Sequence, residues 1–285
     1  VNATADLHAA RSIGDLIRDA RNLSAAEVER VLSYQREHGV RFGEAAVALG
    51  LASPDDVLNA LAQQFHYPLA NAERRDASPE LVALTQPFSV QAEAVRAVRS
   101  QVVMRWNRPD AVRQGLAVIS PGTGDGKTFF AANLAVSLAQ LGGRTLLVDA
   151  DLRSPRQHEV FKISNAAGLS SLLSGRAETQ VIQSVEGVAG LFVLPCGPIP
   201  PNPLELLERP AFGLLVRELA AKFDHVVIDT AAASQGADGC VVAAKCGAAL
   251  VLTRKHENKV AALQDLVASL AGSSVQLLGA VVNEF

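Results

Sequence analysis

The sequence predicts an α/β protein: a doubly wound, mostly parallel sheet preceded by a small, mainly helical domain. Three observations predict it. Six short aliphatic runs, at 116–120, 145–149, 191–194, 226–229, 249–253 and 278–282, lack the polar alternation of half-exposed strands, so both faces of their sheet must be covered. Helical patterns at 129–141, 214–222 and 259–271 separate most of them, the layout of parallel strands joined through helices. The N-terminal stretch instead repeats a helical unit.

The chain has 285 residues, enough for one large α/β domain and a small companion. Apolar residues make up 49% and charged residues 19%, which supplies a core and excludes disordered or collagen-like classes. With 26 Lys and Arg against 29 Asp and Glu, a net charge of -3, there is no global basic field, and nucleic acid is not expected as a partner. Cys196, Cys240 and Cys246 are odd in number and never two residues apart. That argues against a disulfide framework or zinc knuckle and fits a reducing cytoplasm. No HExxH pair occurs among the six histidines, so no His/Cys metal site is expected. Apolar stretches such as 241–252 are broken by Lys245 and fall short of the roughly 18 to 20 residues that cross a bilayer. Membrane attachment would come through a partner. The chain opens on Val1, which points to a trimmed start and leaves a targeting segment open.

In chain order, Ile13-Gly14-Asp15 opens a segment closing at Gln35, and Phe42-Gly43-Glu44 opens one closing at Gln64, at a shared offset of 29 positions. Ser24 with Glu27 makes a capping box, while Ser53 is followed by Pro54 and Asp56 at the first and third helical positions. The apolar faces Val28, Val31, Leu32 and Val57, Leu58, Leu61 recur at helical spacing and are expected to pack together. Residues 1–68 are read as this repeat domain. Residues 69–89, with Pro79, Pro87 and the charged run Glu73-Arg74-Arg75-Asp76, read as a linker with at most a short helix. The α/β domain is expected over 90–285, opening on a helical pattern at 90–106.

Directly after the first predicted strand stands Ser120-Pro121-Gly122-Thr123-Gly124-Asp125-Gly126-Lys127-Thr128, followed by an Ala- and Leu-rich helix. Glycines let backbone N–H groups turn around phosphate oxygens, Lys127 offers a charge to the β and γ phosphates, and Thr128 offers a hydroxyl to Mg²⁺. Pro121 stands where the strict GxxxxGK[ST] pattern wants Gly, but the strand-loop-helix context supports a phosphate-binding loop. The second strand ends Asp149-Ala150-Asp151, and a later one ends Ile228-Asp229-Thr230. Carboxylates at the tips of buried strands are where open α/β sheets bind ligands, and the strand-end Asp is the Mg²⁺ position of P-loop nucleotidases. Asp149, Asp151 and Asp229 are therefore expected to converge on one cation, in a P-loop NTPase fold.

With these residues in place, the sequence resembles the bacterial tyrosine kinases that govern chain length and export of capsular and exopolysaccharides. The loop through Gly124-Asp125-Gly126-Lys127-Thr128 is similar to their Walker A, Leu147-Val148-Asp149-Ala150-Asp151-Leu152-Arg153 to their Walker A′, and Val226-Val227-Ile228-Asp229-Thr230 to their Walker B. Glu93-Ala94-Val95-Arg96-Ala97-Val98-Arg99 fits the ExxRxxR helix that joins subunits into rings, and Pro200-Pro201-Asn202-Pro203-Leu204-Glu205-Leu206-Leu207 fits the PPNPxELL stretch. The stretch Gly168-Leu169-Ser170-Ser171-Leu172-Leu173-Ser174-Gly175 matches as well, and the nearest subgroup is the EpsG-like proteins of exopolysaccharide operons.

The resemblance implies ATP with Mg²⁺ as ligands and phosphoryl transfer as the reaction. Lys127 and the amides of Gly122 to Thr128 would hold phosphates, Thr128 and Asp229 would place the metal, Asp149 would orient or deprotonate the attacking hydroxyl, and Asp151 would support the metal. Arg153 would either touch phosphate or pair with Asp151, and Asn283 would touch adenine. Asn258-Lys259-Val260 is not a guanine signature, so ATP is preferred to GTP. Glu93, Arg96 and Arg99 would join subunits of a homo-oligomer, as a ring on a membrane-bound chain-length determinant protein. The chain would then be cytoplasmic and peripheral to the inner membrane.

Departures accompany the resemblance. Gly122 stands where MinD and ParA ATPases carry a signature Lys, and Thr230 is followed by Ala231-Ala232 rather than two prolines. Relatives phosphorylate a C-terminal tyrosine cluster, whereas the only tyrosines here are Tyr34 and Tyr67. Either a tail was removed, or another acceptor is used, or the protein is an ATP-driven switch. The N-terminal repeat is similar to the MshEN domain, whose paired motifs bind cyclic di-GMP in some members. Arg41, Gly43 and Gly50 match in the second copy; Gly14 matches in the first, which has Ser12 and Arg21 at the other positions. The resemblance leaves a cyclic di-GMP sensor and a protein-docking module open.

Overall fold

A computed structural model describes residues 11–64, 77–106, 114–176 and 180–284. The chain divides into two compact units, Val1–Leu69 and Ala70–Phe285.

In the first unit, α1 (Ile13–Arg21), α2 (Ala25–His38), α3 (Phe42–Ala48) and α4 (Pro54–Gln64) follow one another. Their starts are capped as the sequence predicts. The Ser24 hydroxyl accepts from the Glu27 amide while Glu27 returns to the Ser24 backbone, and Ser53 and Asp56 exchange the same pair of bonds, at 3.2 and 2.7 Å. The packing differs from expectation. The principal contacts of α1 are with α4 and those of α2 with α3, so the two repeats interleave, each lending its first helix to the other's second. Among the six residues expected to pack together only Val31 is fully buried, and Leu32 is exposed. The core forms instead around Ile17, Val31, Ala45, Ala46, Ala52 and Ala60, because the small residues of α3 let its backbone come close.

The second unit contains α5 (Val82–Thr85), α6 (Val90–Trp106), β1 (Gly115–Ile119), α7 (Lys127–Ala139), β2 (Thr145–Ala150), α8 (Gln157–Phe161), α9 (Leu169–Leu173), β3 (Gln183–Ser184), β4 (Leu191–Leu194), α10 (Pro203–Glu208), α11 (Pro210–Lys222), β5 (His225–Thr230), α12 (Asp238–Cys246), β6 (Gly247–Arg254), α13 (Val260–Leu270) and β7 (Gln276–Asn283). The strands form one sheet in the order β3-β4-β2-β5-β1-β6-β7. Every pairing is parallel except β3 with β4. Alternation sorts the side chains into two cores: Leu116, Val118, Leu147 and Val227 lie under α7, while Ala117, Ile119, Leu146, Val148 and Ile228 lie under α11, α12 and α13. Both faces are covered, which explains the unbroken apolar runs. The chain leaves central β1 toward β2 on one side and later reaches β6 on the other. Its strand ends therefore open a crevice at the switch point beside β1.

All of the expected linker 69–89 but Leu69 falls within the second unit, and from residue 77 it is part of that unit's packing. Leu81, Val82, Ala83 and Leu84 are buried. The fully buried Asn133 of α7 accepts from the Ala83 amide at 2.9 Å and donates to the Glu80 carbonyl at 2.8 Å. Proline and charge marked this stretch as a connection, but its apolar run supplies core. No described helix is long and apolar enough to cross a membrane.

Candidate active site

The turn between β1 and α7 is shaped by two glycines and one aspartate. Gly124 and Gly126 have φ of 82° and 91°, a left-handed conformation that side chains resist. The buried Asp125 carboxylate accepts the Gly122 amide at 2.7 Å, so it closes the loop on itself. Thr123 and Gly124 face outward at its tip. A Cβ on Gly122 would lie 3.0 Å from Asn258 Nδ2 and 3.2 Å from Asp125, so a longer residue here must displace its neighbours. Bracing comes from two sides. Asn283 Nδ2, at the end of β7, donates to the Asp125 carbonyl at 3.1 Å. After β5, the Ala233 and Ser234 amides donate to the Ser120 and Pro121 carbonyls, each at 2.9 Å.

Lys127 opens α7, where the amides of the first turn have no helical partner and attract anions. Its buried ammonium donates to Ser120 Oγ at 2.9 Å and the Gly122 carbonyl at 3.4 Å. Burial lowers its pKa, against the opposing pull of Asp229, Asp151 and Asp125.

Asp149 and Asp229 are direct partners in the β2–β5 register, and both are fully buried. Burial, reinforced by Asp229, raises the Asp149 pKa well above the carboxylate range. Burial pushes Asp229 up to about 6, although Gln157, Thr128 and Lys127 oppose it. Asp149 accepts from the amides of Gln157 and Asp151, at 3.0 and 3.2 Å. Asp229 accepts from Gln157 Nε2 at 2.9 Å on one oxygen, while its other oxygen is buried without a partner. Asp151 behaves differently. Its carboxylate turns back to the amides of Arg153 and Ser154, at 3.1 and 2.8 Å, and so shapes the turn after β2. Among the described residues no three His, Cys, Asp or Glu side chains are grouped to hold a metal. Asp149 and Asp229 thus form the closest pair, while one Asp151 oxygen is engaged in the turn. The set fits Mg²⁺ with a nucleotide. Mg²⁺ takes one or two protein oxygens and completes its shell with phosphates and waters, and Thr128 with Asp229 supplies such a pair, including an oxygen that lacks a partner.

Other expected site residues sit elsewhere. The Arg153 guanidinium makes a two-point contact with buried Asp238 at the start of α12, at 3.1 and 2.9 Å, while its backbone amide bonds Asp151. Arg96 bonds Glu93 and the Pro87 carbonyl, the latter at 2.6 Å, and Arg99 bonds the Ser137 carbonyl of α7 at 3.0 Å. Within the chain both arginines brace α6, and Glu93 is exposed. In the first unit, Gly50 has φ +68° after α3. A Cβ on Gly14 would touch the Phe42 ring at 3.6 Å, and one on Gly43 would meet Val57 Cγ1 at 2.7 Å. Packing accounts for Gly43 and chain direction for Gly50, whereas Gly14 has room for a side chain; Arg41 is exposed. Tyr34 stacks on His38 at 3.9 Å, whereas Tyr67 lies outside the described residues. Two contributors carry no motif: Asp238, whose only sequence signal is an acid at a helix start, and Gln157, which has none.

Residues 116–285 match the CobQ/CobB/MinD/ParA nucleotide binding domain family. The chain is 35% identical over 204 residues to the tyrosine-protein kinase YwqD of Bacillus subtilis, covering 71% of this chain and 85% of that one. It belongs to the bacterial tyrosine kinase family. Among solved structures, the kinase domain of Escherichia coli tyrosine kinase ETK superposes with a TM-score of 0.69 at 31% identity, covering 74% of this chain and 82% of that one. The chimerical protein CapA2B2 gives 0.67 at 33% identity, covering 79% and 97%. In this bacterial tyrosine kinase family member, residues 116–285 contain the phosphate loop and both carboxylate strands, β2 and β5.

Proposed function

We propose that the chain is an ATP-dependent protein-tyrosine kinase that regulates exopolysaccharide chain length, polymerisation or export, in the manner of the EpsG-like proteins. The observation that carries this reading is the buried Asp149–Asp229 pair in register beside the Lys127 loop. Lys127 and the loop amides hold the triphosphate, and the left-handed glycines aim those amides inward. Thr128 and Asp229 hold Mg²⁺, which when bound neutralises charge on the phosphates. Asp149, ionised when a bound cation offsets the charge of Asp229, would receive the hydroxyl proton on a carboxylate oxygen. Positioning and charge complementarity supply most of the acceleration. On this reading the protein works in the cytoplasm, and its oligomer assembles through the Glu93, Arg96 and Arg99 helix on a membrane-bound chain-length protein.

A second reading, an ATP-driven assembly switch without tyrosine transfer, is favoured by the tyrosine count: two, both outside 90–285. Incubation with radiolabelled ATP separates the two. Wild type takes up label on tyrosine, Lys127→Met loses it by about 10² to 10³-fold, and a Tyr34→Phe/Tyr67→Phe variant loses it only if those residues accept. Label undiminished in the Lys127→Met variant overturns both readings. For the first unit we favour docking over cyclic di-GMP sensing, because Gly43 and Gly50 have structural reasons to be glycine and one copy lacks its arginine.

A further inference from the structure

Gln157 is the first residue of α8 and is fully buried. Its Nε2 donates to Asp229 at 2.9 Å and to the Thr128 carbonyl at 3.1 Å. Its backbone amide donates to Asp149 at 3.0 Å. One residue therefore touches the strand ends of β2 and β5 and the first turn of α7. The Thr128 carbonyl can only accept, which fixes the orientation of the amide. Oε1 is then left buried with no partner, and so is the second oxygen of Asp229, to which the same side chain is bonded. Buried acceptors without donors are rare and call for an explanation. A hydrated cation meets both needs, since it attracts the carboxylate and its waters donate.

We infer that Gln157 is a positioning residue for the metal: it spans Thr128 and Asp229 and sets their spacing before the ion arrives. This rests on the proposed reading of the site as a Mg²⁺–ATP centre. It goes further by assigning metal affinity to a residue outside the three nucleotide motifs. Partners that orient metal-holding carboxylates typically change metal affinity by about 10 to 100-fold when lost.

The test is binding of a fluorescent ATP analogue, titrated with Mg²⁺ and repeated in EDTA, for wild type, Gln157→Leu and Gln157→Met. The Leu variant stays close in shape and the Met variant keeps the volume, and each removes both bonds without adding charge. In each, the Mg²⁺ midpoint is expected to rise by about tenfold or more while EDTA affinity stays within about twofold of wild type. Melting in EDTA verifies folding, and if one variant does not fold the other carries the test. Mg²⁺ midpoints within twofold of wild type overturn the inference, and so do equal losses with and without metal, the mark of a merely structural role. If wild type itself binds no nucleotide with Mg²⁺, the reading of the site fails rather than the role of Gln157.

Discussion

Burial pushes Asp229 up to about 6, whereas an unfolded chain returns it to the ordinary carboxylate value of 3.8. Between those values the folded chain holds a proton that the unfolded chain has released. The stability of the ligand-free protein therefore falls as pH rises from about 4 to about 6, and the contribution of this group levels off above that. Asp149, raised by the same burial and by Asp229, adds to the decline with the same sign. Urea denaturation in EDTA across pH 4.5 to 7.5 is expected to show this slope, and Asp229→Asn to flatten its lower part. Mg²⁺-dependent nucleotide binding runs the other way and strengthens as pH rises through about 6, when the carboxylate becomes ionised. At this scale Lys127, Thr128, Asp149 and Asp229 were legible because their motifs are local. Arg153 was not: its partner Asp238 lies 85 positions away, and no local pattern announces a long-range ion pair.

Among the elements, the two repeat glycines face different neighbours, and the difference decides the sign of a substitution. Gly43→Ala drives a methyl to 2.7 Å from Val57, and overpacking of about 1–3 kcal/mol outweighs the helix gain of about 1 kcal/mol. Gly14→Ala places its methyl in ordinary contact with Phe42 at 3.6 Å and should keep most of that gain. Thermal melts of the first unit within the full chain check both, and Val57→Ala should rescue Gly43→Ala. Strands and long helices were readable from pattern, but β3, α8 and α9 span only two to five residues, too few to show a period. The buried helix α12 and the strand β6 after it form one apolar stretch, and periodicity does not separate a buried helix from a buried strand. Gly247, with φ of 88°, marks the division between them.

Across the whole molecule, two units with separate cores predict two unfolding transitions. At an ATP concentration about 100 times Kd, binding stabilises its host by about 2.7 kcal/mol. Calorimetry with Mg²⁺–ATP is therefore expected to raise the larger transition and leave the smaller one in place. Cyclic di-GMP at high concentration should move neither, and a rise of the smaller transition would restore the sensor reading. The two-part organisation was visible in the change from helical repeat to alternating strands. The start of the second unit was not, because Leu81 to Leu84 resemble a loop until Asn133 is seen to hold them on α7.

The pairing of Asp149 with Asp229 carries a consequence for how this protein can go wrong. A slip of one residue between β2 and β5 would send one carboxylate to the opposite side of the sheet while leaving most of the apolar interior filled. Such a misassembled chain would look folded by its helix content and have no grip on a metal ion. Titrated magnesium-nucleotide uptake is thus an assay of strand alignment, able to count correctly threaded molecules in a preparation that spectroscopy alone would pass as uniform.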